Sequence, residues 1–400
     1  MTAHAELVAL ETLVDPLRPI TYGIVLPGAD VPDGIPYIRV VDMQGGAVRL
    51  DQLRRTTREI AHSYRRSALV EGDLLVSIRG HVGRTAFVPK GAHGANLTQD
   101  TARVAILPGV DSRYIRWFIE SPTARHWLVQ HTKGVAVTGV NLGDLRKLPV
   151  PLPALNEQRR IADILDKADA IRRKRKEAIA LTEELLRSAF LEMFGDPVTN
   201  PKCWPVKALG EVAHVAGGLQ VTSARASNPI SMPYLRVANV FRDRLNLAEV
   251  KEIRVTEAER ARATLSCGDV LVVEGHGNPD ELGRSAVWRD EVAGCTHQNH
   301  LIRVRPTAGI LDATFLSASL NSSSGRKQML ALGKTTSGLN TISTNNVRGV
   351  QILLPPLSRQ LEYAAVVGRI ATLARTIERG SAEDECLFSS LVARAFAGTL

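Results

Sequence analysis

A mixed α and β architecture written twice, with two globular domains each followed by a long helix, is the fold that this sequence predicts. Three observations carry that expectation. An ordered set of short motifs recurs at about half the chain length. Inside each copy, β-branched runs are punctuated by Gly, Pro and Asp. After each copy, a charged stretch takes on the period of a helix.

The repeat runs in the same order in both halves. Pro36-Tyr37-Ile38-Arg39-Val40 returns as Pro233-Tyr234-Leu235-Arg236-Val237, and Gly72-Asp73-Leu74-Leu75-Val76 as Gly268-Asp269-Val270-Leu271-Val272. Gly83-Arg84-Thr85-Ala86 returns as Gly283-Arg284-Ser285-Ala286. The stretch from Leu148 to Leu155 matches that from Val350 to Leu357, Gln158 matches Gln360, and Ser188-Ala189-Phe190 pairs with Arg394-Ala395-Phe396.

In each copy the β-branched runs predict strands over 37–41, 73–78 and 102–107, with counterparts at 234–240, 269–274 and 301–304. Helical stretches are expected over 112–130 and 312–332. Each globular part closes on a Pro-rich extended segment, because proline lacks an amide donor and pushes the preceding residue to β or polyproline geometry. These punctuations give domains at 1–155 and 196–357, with helical spacers at 156–195 and 358–400.

The first spacer carries apolar or small residues at Ile161, Ile164, Ala168, Ile171, Ala178, Leu185 and Ala189, mostly in steps of three and four, as a coiled-coil seam requires. The second repeats the pattern at Val366, Ile370, Leu373, Ile377, Leu387 and Leu391, and Gly380-Ser381 is expected to kink or break it. Two narrow-striped helices bury their seams best against each other. An antiparallel, coiled-coil-like pair that holds the globular domains apart in a pseudo-twofold relation is therefore expected.

The chain has 400 residues, 44% hydrophobic and 23% charged, which places it among globular proteins, and its formal net charge is +9. That excess favours a polyanionic partner, nucleic acid first, since Lys and Arg on phosphates release condensed counterions; charge kept for solubility is the alternative. The N-terminus has no basic start followed by an apolar core, and no apolar run approaches the roughly 18 residues of a membrane span, so a cytoplasmic protein is expected. Cys203, Cys267, Cys295 and Cys386 never form a CxxC pair, which supports neither a zinc site nor a disulfide framework; they are expected as reduced, mostly buried thiols.

A duplicated reader on a spacer suits DNA, where each copy reaches a groove at a fixed separation and the target is split by an unread gap. The chain here resembles the specificity subunits of type I restriction-modification systems, over nearly its whole length. The resemblance rests on Pro19-Ile20-Thr21-Tyr22-Gly23-Ile24-Val25 followed by Pro36 to Val40, on Leu152-Pro153-Ala154-Leu155-Asn156-Glu157-Gln158-Arg159-Arg160-Ile161, and on Phe190-Leu191-Glu192-Met193-Phe194-Gly195-Asp196-Pro197. It implies two target recognition domains, each reading one half of a bipartite site on double-stranded DNA. It also implies two methyltransferase and two restriction subunits as partners, which would hold S-adenosylmethionine, ATP and magnesium. Ser358-Arg359-Gln360-Leu361 departs from the Asn156-Glu157-Gln158-Arg159 pattern and puts equal docking by both helices in doubt.

Two segments per copy are candidates for DNA contact. The first is the turn at 78–84, with Arg79, His81 and Arg84; Glu274, His276 and Asn278 occupy the equivalent place. Glycines there let a backbone approach a duplex, Arg, His and Asn offer donors, and Glu274 offers an acceptor for a cytosine amine; a solvated hairpin turn is the alternative. The second is the stretch 131–141, with Lys133, Thr138 and Asn141, matched by Lys334, Thr335 and Asn340. It suits phosphate positioning, or is a plain surface loop. Arg39 and Arg236 share an equivalent strand position and complete the set. The basic run Ile171 to Lys176 is nearly cancelled by Asp163, Asp166, Asp169, Glu177, Glu183 and Glu184; it is either a solvated helix face or a contact to DNA or an acidic surface.

No catalytic residue is assigned. Gly333-Lys334-Thr335 lacks the first glycine of a phosphate loop, Gln328 standing in its place. Asp269 and Glu274 resemble a metal-nuclease pair, but His276 stands where its lysine belongs and Ile78, the counterpart of Glu274, cannot bind metal. An Asn-Pro-Pro-aromatic segment and a methyl-donor fingerprint are absent from the sequence. The rival expectation is a docking protein whose two copies bind two protein partners and whose basic charge is incidental.

Overall fold

The repeated Gly-Asp pair shows why the two halves fold alike. Gly72 and Gly268 have φ of +86° and +88°, a region that favours glycine. The aspartates that follow are buried and charge-balanced. Asp73 accepts a fork from Arg18 at 2.8 and 2.6 Å and the Val70 amide at 2.8 Å. Asp269 accepts a fork from Arg305 at 2.6 and 2.7 Å and the Ser266 amide at 2.8 Å. Removing either arginine would strand a buried carboxylate, at roughly 3–5 kcal/mol. Each turn feeds a fully buried strand, Leu74–Ser77 or Val270–Val273.

The computed structural model describes residues 6–133, 138–336 and 339–400. The chain divides into two units: Met1–Lys176 with Arg379–Leu400, and Glu177–Glu378. In the first unit an antiparallel sheet has the order Thr21–Tyr22, Thr101–Val104, Leu74–Ser77, Thr85–Phe87. A mixed sheet places Ile35–Ile38 between Arg54–Thr56 and Asn96–Leu97. The second unit repeats both, as Ala213–Gly217, Leu301–Pro306, Val270–Val273, Ser285–Val287 and as Lys251–Val255, Ile230–Leu235, Thr296–His297. The Pro-rich segments close each unit as edge strands, Pro149–Leu152 on Glu6–Ala9 and Gln351–Leu353 on Val206–Ala208.

Local chemistry corrects several expected boundaries. The strand at Tyr37 stops at Ile38 because Asp42 accepts the Arg39 amide at 2.8 Å and winds the chain into the turn Val40–Asp42. The stretch 112–130 is two helices, Ser112–Glu120 and Pro122–Gln130, since Ser121 caps the Ala124 amide at 3.2 Å and Pro122 takes the first position. Ser322 does the same for Ala313–Asn321 and Ser323–Leu332. Only Cys295 of the four cysteines is buried; Cys203, Cys267 and Cys386 are exposed.

The long helices are Leu155–Phe194 and Leu357–Phe396, and both pass from one unit into the other. Near the start of each, a buried glutamine ties it to the globular part. Gln158 accepts the Asp111 amide at 3.0 Å and donates to the Pro153 carbonyl at 2.8 Å. Gln360 accepts the Asp312 amide at 2.8 Å and donates to the Pro355 and Ile310 carbonyls at 2.8 and 3.1 Å. The departure at Ser358 to Leu361 therefore leaves this tie intact. The helix stays continuous through Gly380, where a Cβ would lie 1.3 Å from Arg175 Nη1: the glycine clears the way for an arginine and does not break the helix. The seam also differs from the expected one. Ile171, Leu185, Leu373 and Leu387 are exposed, while Asp169 and Thr182 are buried, so polar residues occupy part of the stripe and shift its phase away from the apolar positions.

The two copies differ inside the mixed sheet. His297 stands buried where the first unit has Leu97, and both its ring nitrogens lack hydrogen-bond partners among the described residues. Burial, with Arg303 and Arg262 nearby, pushes the imidazole down to about 3. The folded pKa lies below the unfolded value, so the stability is present above about pH 6.5 and is lost as pH falls toward the folded pKa, by up to about 1.4 kcal/mol per pH unit. Thermal melts of the full chain from pH 7 to 4.5 are expected to show this loss in the second unit. His297→Leu, which installs the first unit's residue, is expected to flatten the dependence, and an unchanged slope would contradict the assignment.

Candidate nucleic-acid interface

The two candidate segments of each copy, more than 40 residues apart in sequence, lie side by side. In the second unit Leu339–Thr341 is the middle strand of a small antiparallel sheet between Gly275–His276 and Lys334–Thr336. Gly275 and Lys334 both face Thr341, and His276 and Thr335 both face Asn340. The first unit holds the same arrangement in reduced form. Gly139 bridges Arg79 on one side and Lys133 on the other, with amide bonds of 2.9 and 3.0 Å to Lys133, and the Val140 amide donates to the Ile78 carbonyl at 2.9 Å. Residues 134–137 and 337–338 of the predicted segments lie outside the described residues.

In the first unit the crossing demands a glycine. At Gly139 a Cβ would sit 2.8 Å from the Ile78 carbonyl oxygen and 2.7 Å from Arg79 Cγ. In the second unit the glycine is on the other strand, as Gly275 opposite Thr341.

Arg79, His81, Lys133 and Thr138 are exposed around the first small sheet, as is Lys334 in the second. Lys133 Nζ donates to Asp144 at 3.2 Å. Arg79 lies 3.7 Å from Asp100, and Glu274 lies 3.1 Å from the ring of His300. Sequence reasoning missed Asp100 and His300: both precede distant strands, and no local motif marks them.

Other predicted residues serve the backbone. Asn141 caps the helix Leu142–Arg146 through the Asp144 amide at 2.8 Å, and Asn278 caps the turn Pro279–Glu281 through the Asp280 amide at 3.0 Å. His276 Nδ1 accepts the Asn278 amide at 3.0 Å. The arginines of the repeated motifs also spend donors within their units. Arg39 forks Asp42 at 2.9 and 2.7 Å, and Arg236 pairs with Glu249. Arg84 donates to the Val40 and Met43 carbonyls at 3.3 Å, as Arg284 does to Val237 at 3.0 Å. The Gly-Arg repeat thus ties down the turn that follows the Tyr-x-Arg-Val strand.

The basic run meets an acidic surface belonging to its own chain. Within the first unit Arg172 bonds Asp169 at 2.6 Å and Glu385 at 3.2 Å, Arg175 reaches Asp384 at 2.8 Å, and Lys176 reaches Glu385 at 2.6 Å. Arg173 also pairs with Asp169. Lys176, with Arg172, holds the Glu385 carboxyl below its usual range. Arg160 donates to the Leu400 carbonyl at 2.9 Å, so in this unit the two helical segments run antiparallel.

Among the described residues no group of three His, Cys, Asp or Glu side chains is placed to hold a metal, and no helix is long and apolar enough to cross a membrane. The fold and site define a duplicated α/β protein with one small polar sheet at the surface of each unit.

Comparison with known proteins shows what the chain is similar to. Residues 30–181 match the type I restriction modification DNA specificity domain. The chain is 35% identical over 199 residues to the EcoBI type I restriction enzyme specificity subunit of Escherichia coli, covering 48% of this chain and 41% of that protein. It is 25% identical over 309 residues to the EcoKI specificity subunit of Escherichia coli strain K12, covering 72% and 66%. It thus spans less than two thirds of the length of these relatives. The crystal structure of the type I restriction-modification S subunit from M. genitalium shares the fold, with a TM-score of 0.58 at 13% identity over 99% of this chain and 97% of that one. Over part of its length the chain is similar to type I restriction enzyme specificity subunits.

Gly139→Ala is expected to push the Arg79 and Gly139 strands apart. In hydrogen exchange the Val140 amide should lose protection by about tenfold or more while Val270–Val273 amides keep theirs; unchanged protection at Val140 would show that the close crossing is not required.

Proposed function

We propose that the chain is the DNA-reading specificity subunit of a cytoplasmic type I restriction-modification assembly, with each unit reading one half of a split duplex target. The observation that carries this reading is the recurrence of the small polar sheet at equivalent places in two homologous units, in a chain related to proteins named for specificity. The net charge of +9 supports a polyanionic partner. Because the basic run is paired with Asp169, Asp384 and Glu385, contact with DNA falls to exposed groups elsewhere, and Arg79, His81, Lys133 and Lys334 around the small sheets are suited to it. The subunit contributes no bond-making step. It selects the site and binds two methyltransferase and two restriction subunits, and these hold S-adenosylmethionine, ATP and magnesium.

The test is expression of this chain with its methyltransferase subunit in a host lacking DNA methylation, followed by single-molecule, modification-sensitive sequencing. A two-part motif methylated on adenine in both halves, absent without this chain, is expected. Binding to a duplex carrying that motif should weaken linearly on a log–log plot against salt, as counterion release requires. An assembled complex that adds no methylation, or whose binding ignores salt, would contradict the proposal.

A further inference from the structure

Two buried aspartates and two exposed side-chain couples flank the central strands of the two units, and they behave differently. Where the pair is structural, the copies keep its sign: Asp73 and Asp269 are both the anions, each forked by an arginine. Where the couple is exposed, Asp100 and His300 hold corresponding positions, but the residues facing them are offset by one: Glu274 corresponds to Ile78, and Gly275 to Arg79. In the first unit the cation Arg79 follows the central strand, and the anion Asp100 precedes the strand Thr101–Val104. In the second, the anion Glu274 follows the central strand, and His300 precedes the strand Leu301–Pro306. The shared backbone fixes that offset: the Ile78 and Arg79 amides donate to the Asp100 carbonyl at 2.8 and 3.3 Å, and the Glu274 amide, in the place of Ile78, donates to the His300 carbonyl at 3.0 Å.

The fold does not need these couples for stability. Their side chains are 45% and 44% exposed in the first unit, and 57% (His300) and 29% (Glu274) in the second. Pairs this open contribute about 0–1 kcal/mol, so a competing partner separates them at little cost. Both stand at the edge of the small sheet. Arg79 is itself the residue bridged to Gly139, and the Glu274 carbonyl accepts the Ile342 amide at 2.8 Å beside the Gly275 and Thr341 crossing.

We infer that Arg79–Asp100 and Glu274–His300 are base-reading couples of opposite polarity, each fixing one position of its half-site, an inference that rests on the DNA-reading function proposed above. A guanidinium offers a fork to the O6 and N7 acceptors of guanine, and a carboxylate accepts from the N4 amine of cytosine. The first half-site therefore contains a guanine read by Arg79, and the second a cytosine read by Glu274. Asp100 and His300 are positioning residues that hold the reader in place when no base is bound.

The full chain, expressed with its methyltransferase subunit in a methylation-free host, tests this by the motifs that its variants methylate. Arg79→Ala is expected to turn one guanine of the first half-site into any base while the second half-site stays as it was. Glu274→Ala, which removes the acceptor, is expected to relax one cytosine of the second half-site alone. Discrimination at each position should fall by about 5- to 150-fold, the value of one good base contact. Arg79→Lys, which keeps the charge and loses the fork, covers the case in which the alanine variant fails to assemble; it should weaken the same guanine. Folded variants with unchanged motifs, or with both half-sites altered together, would overturn the couples while leaving the specificity function standing. A wild-type complex that assembles and methylates no motif would overturn the function itself.

Discussion

Each core closes on aromatic rings delivered by the far end of a long helix, and the rest of the structure depends on that closure. In the first unit Phe396 lies 5.4 Å from both Tyr114 and Phe118, and Phe388 lies 5.4 Å from Trp117. In the second, Phe190 stacks on Phe315 at 5.9 Å, Phe194 meets Phe315 edge-on at 4.7 Å, and both meet Tyr363 edge-on. Large rings bury more apolar area than other side chains and add about 0.5–1.5 kcal/mol per well-placed pair. The first core, begun by the N-terminal sheets, is thus completed only by residues at the end of the chain. This is why the helices are long and why Ser188-Ala189-Phe190 and Arg394-Ala395-Phe396 repeat.

The closure leaves the polar parts of each unit free to diverge. Groups that hold the turns, the buried Asp73 and Asp269 and the paired Gln158 and Gln360, keep identity and role in both copies, since an unpartnered buried polar group costs about 1–3 kcal/mol and a charged one more. The rim of the small sheets carries no such penalty. There Arg79 faces Asp100 in one copy and Glu274 faces His300 in the other. Two readers of different sequence on one scaffold need that combination of fixed core and variable rim.

Much of the scaffold was legible in the sequence, because Gly-Asp, Tyr-x-Arg-Val and the Pro-rich closings are local motifs with local causes. The expected strands at Leu74 and Val270, the helices after Asp111 and Asp312 and the two long helices all occur. The helix seam was misphased because Asp169 and Thr182 occupy it, and periodicity counts only apolar residues. Gly380 looked like a helix breaker because its neighbour, Arg175, lies about 200 residues away in the chain. The basic run was left open between a solvated helix face and a contact surface for the same reason: Asp384 and Glu385 are distant in sequence. At the site, the two loops were visible one by one, but their union into a sheet and the couples with Asp100 and His300 are long-range pairings that no local pattern records.

The most direct measurement is hydrogen exchange on the assembled complex with and without a duplex carrying its methylation motif. New protection is expected at 79–84 and 138–141 in the first unit and at 274–278 and 339–341 in the second, with the helix stretch 172–176 unchanged. Protection at 172–176 with none at the small sheets would contradict the account, since it would place DNA on the basic run that the structure pairs internally.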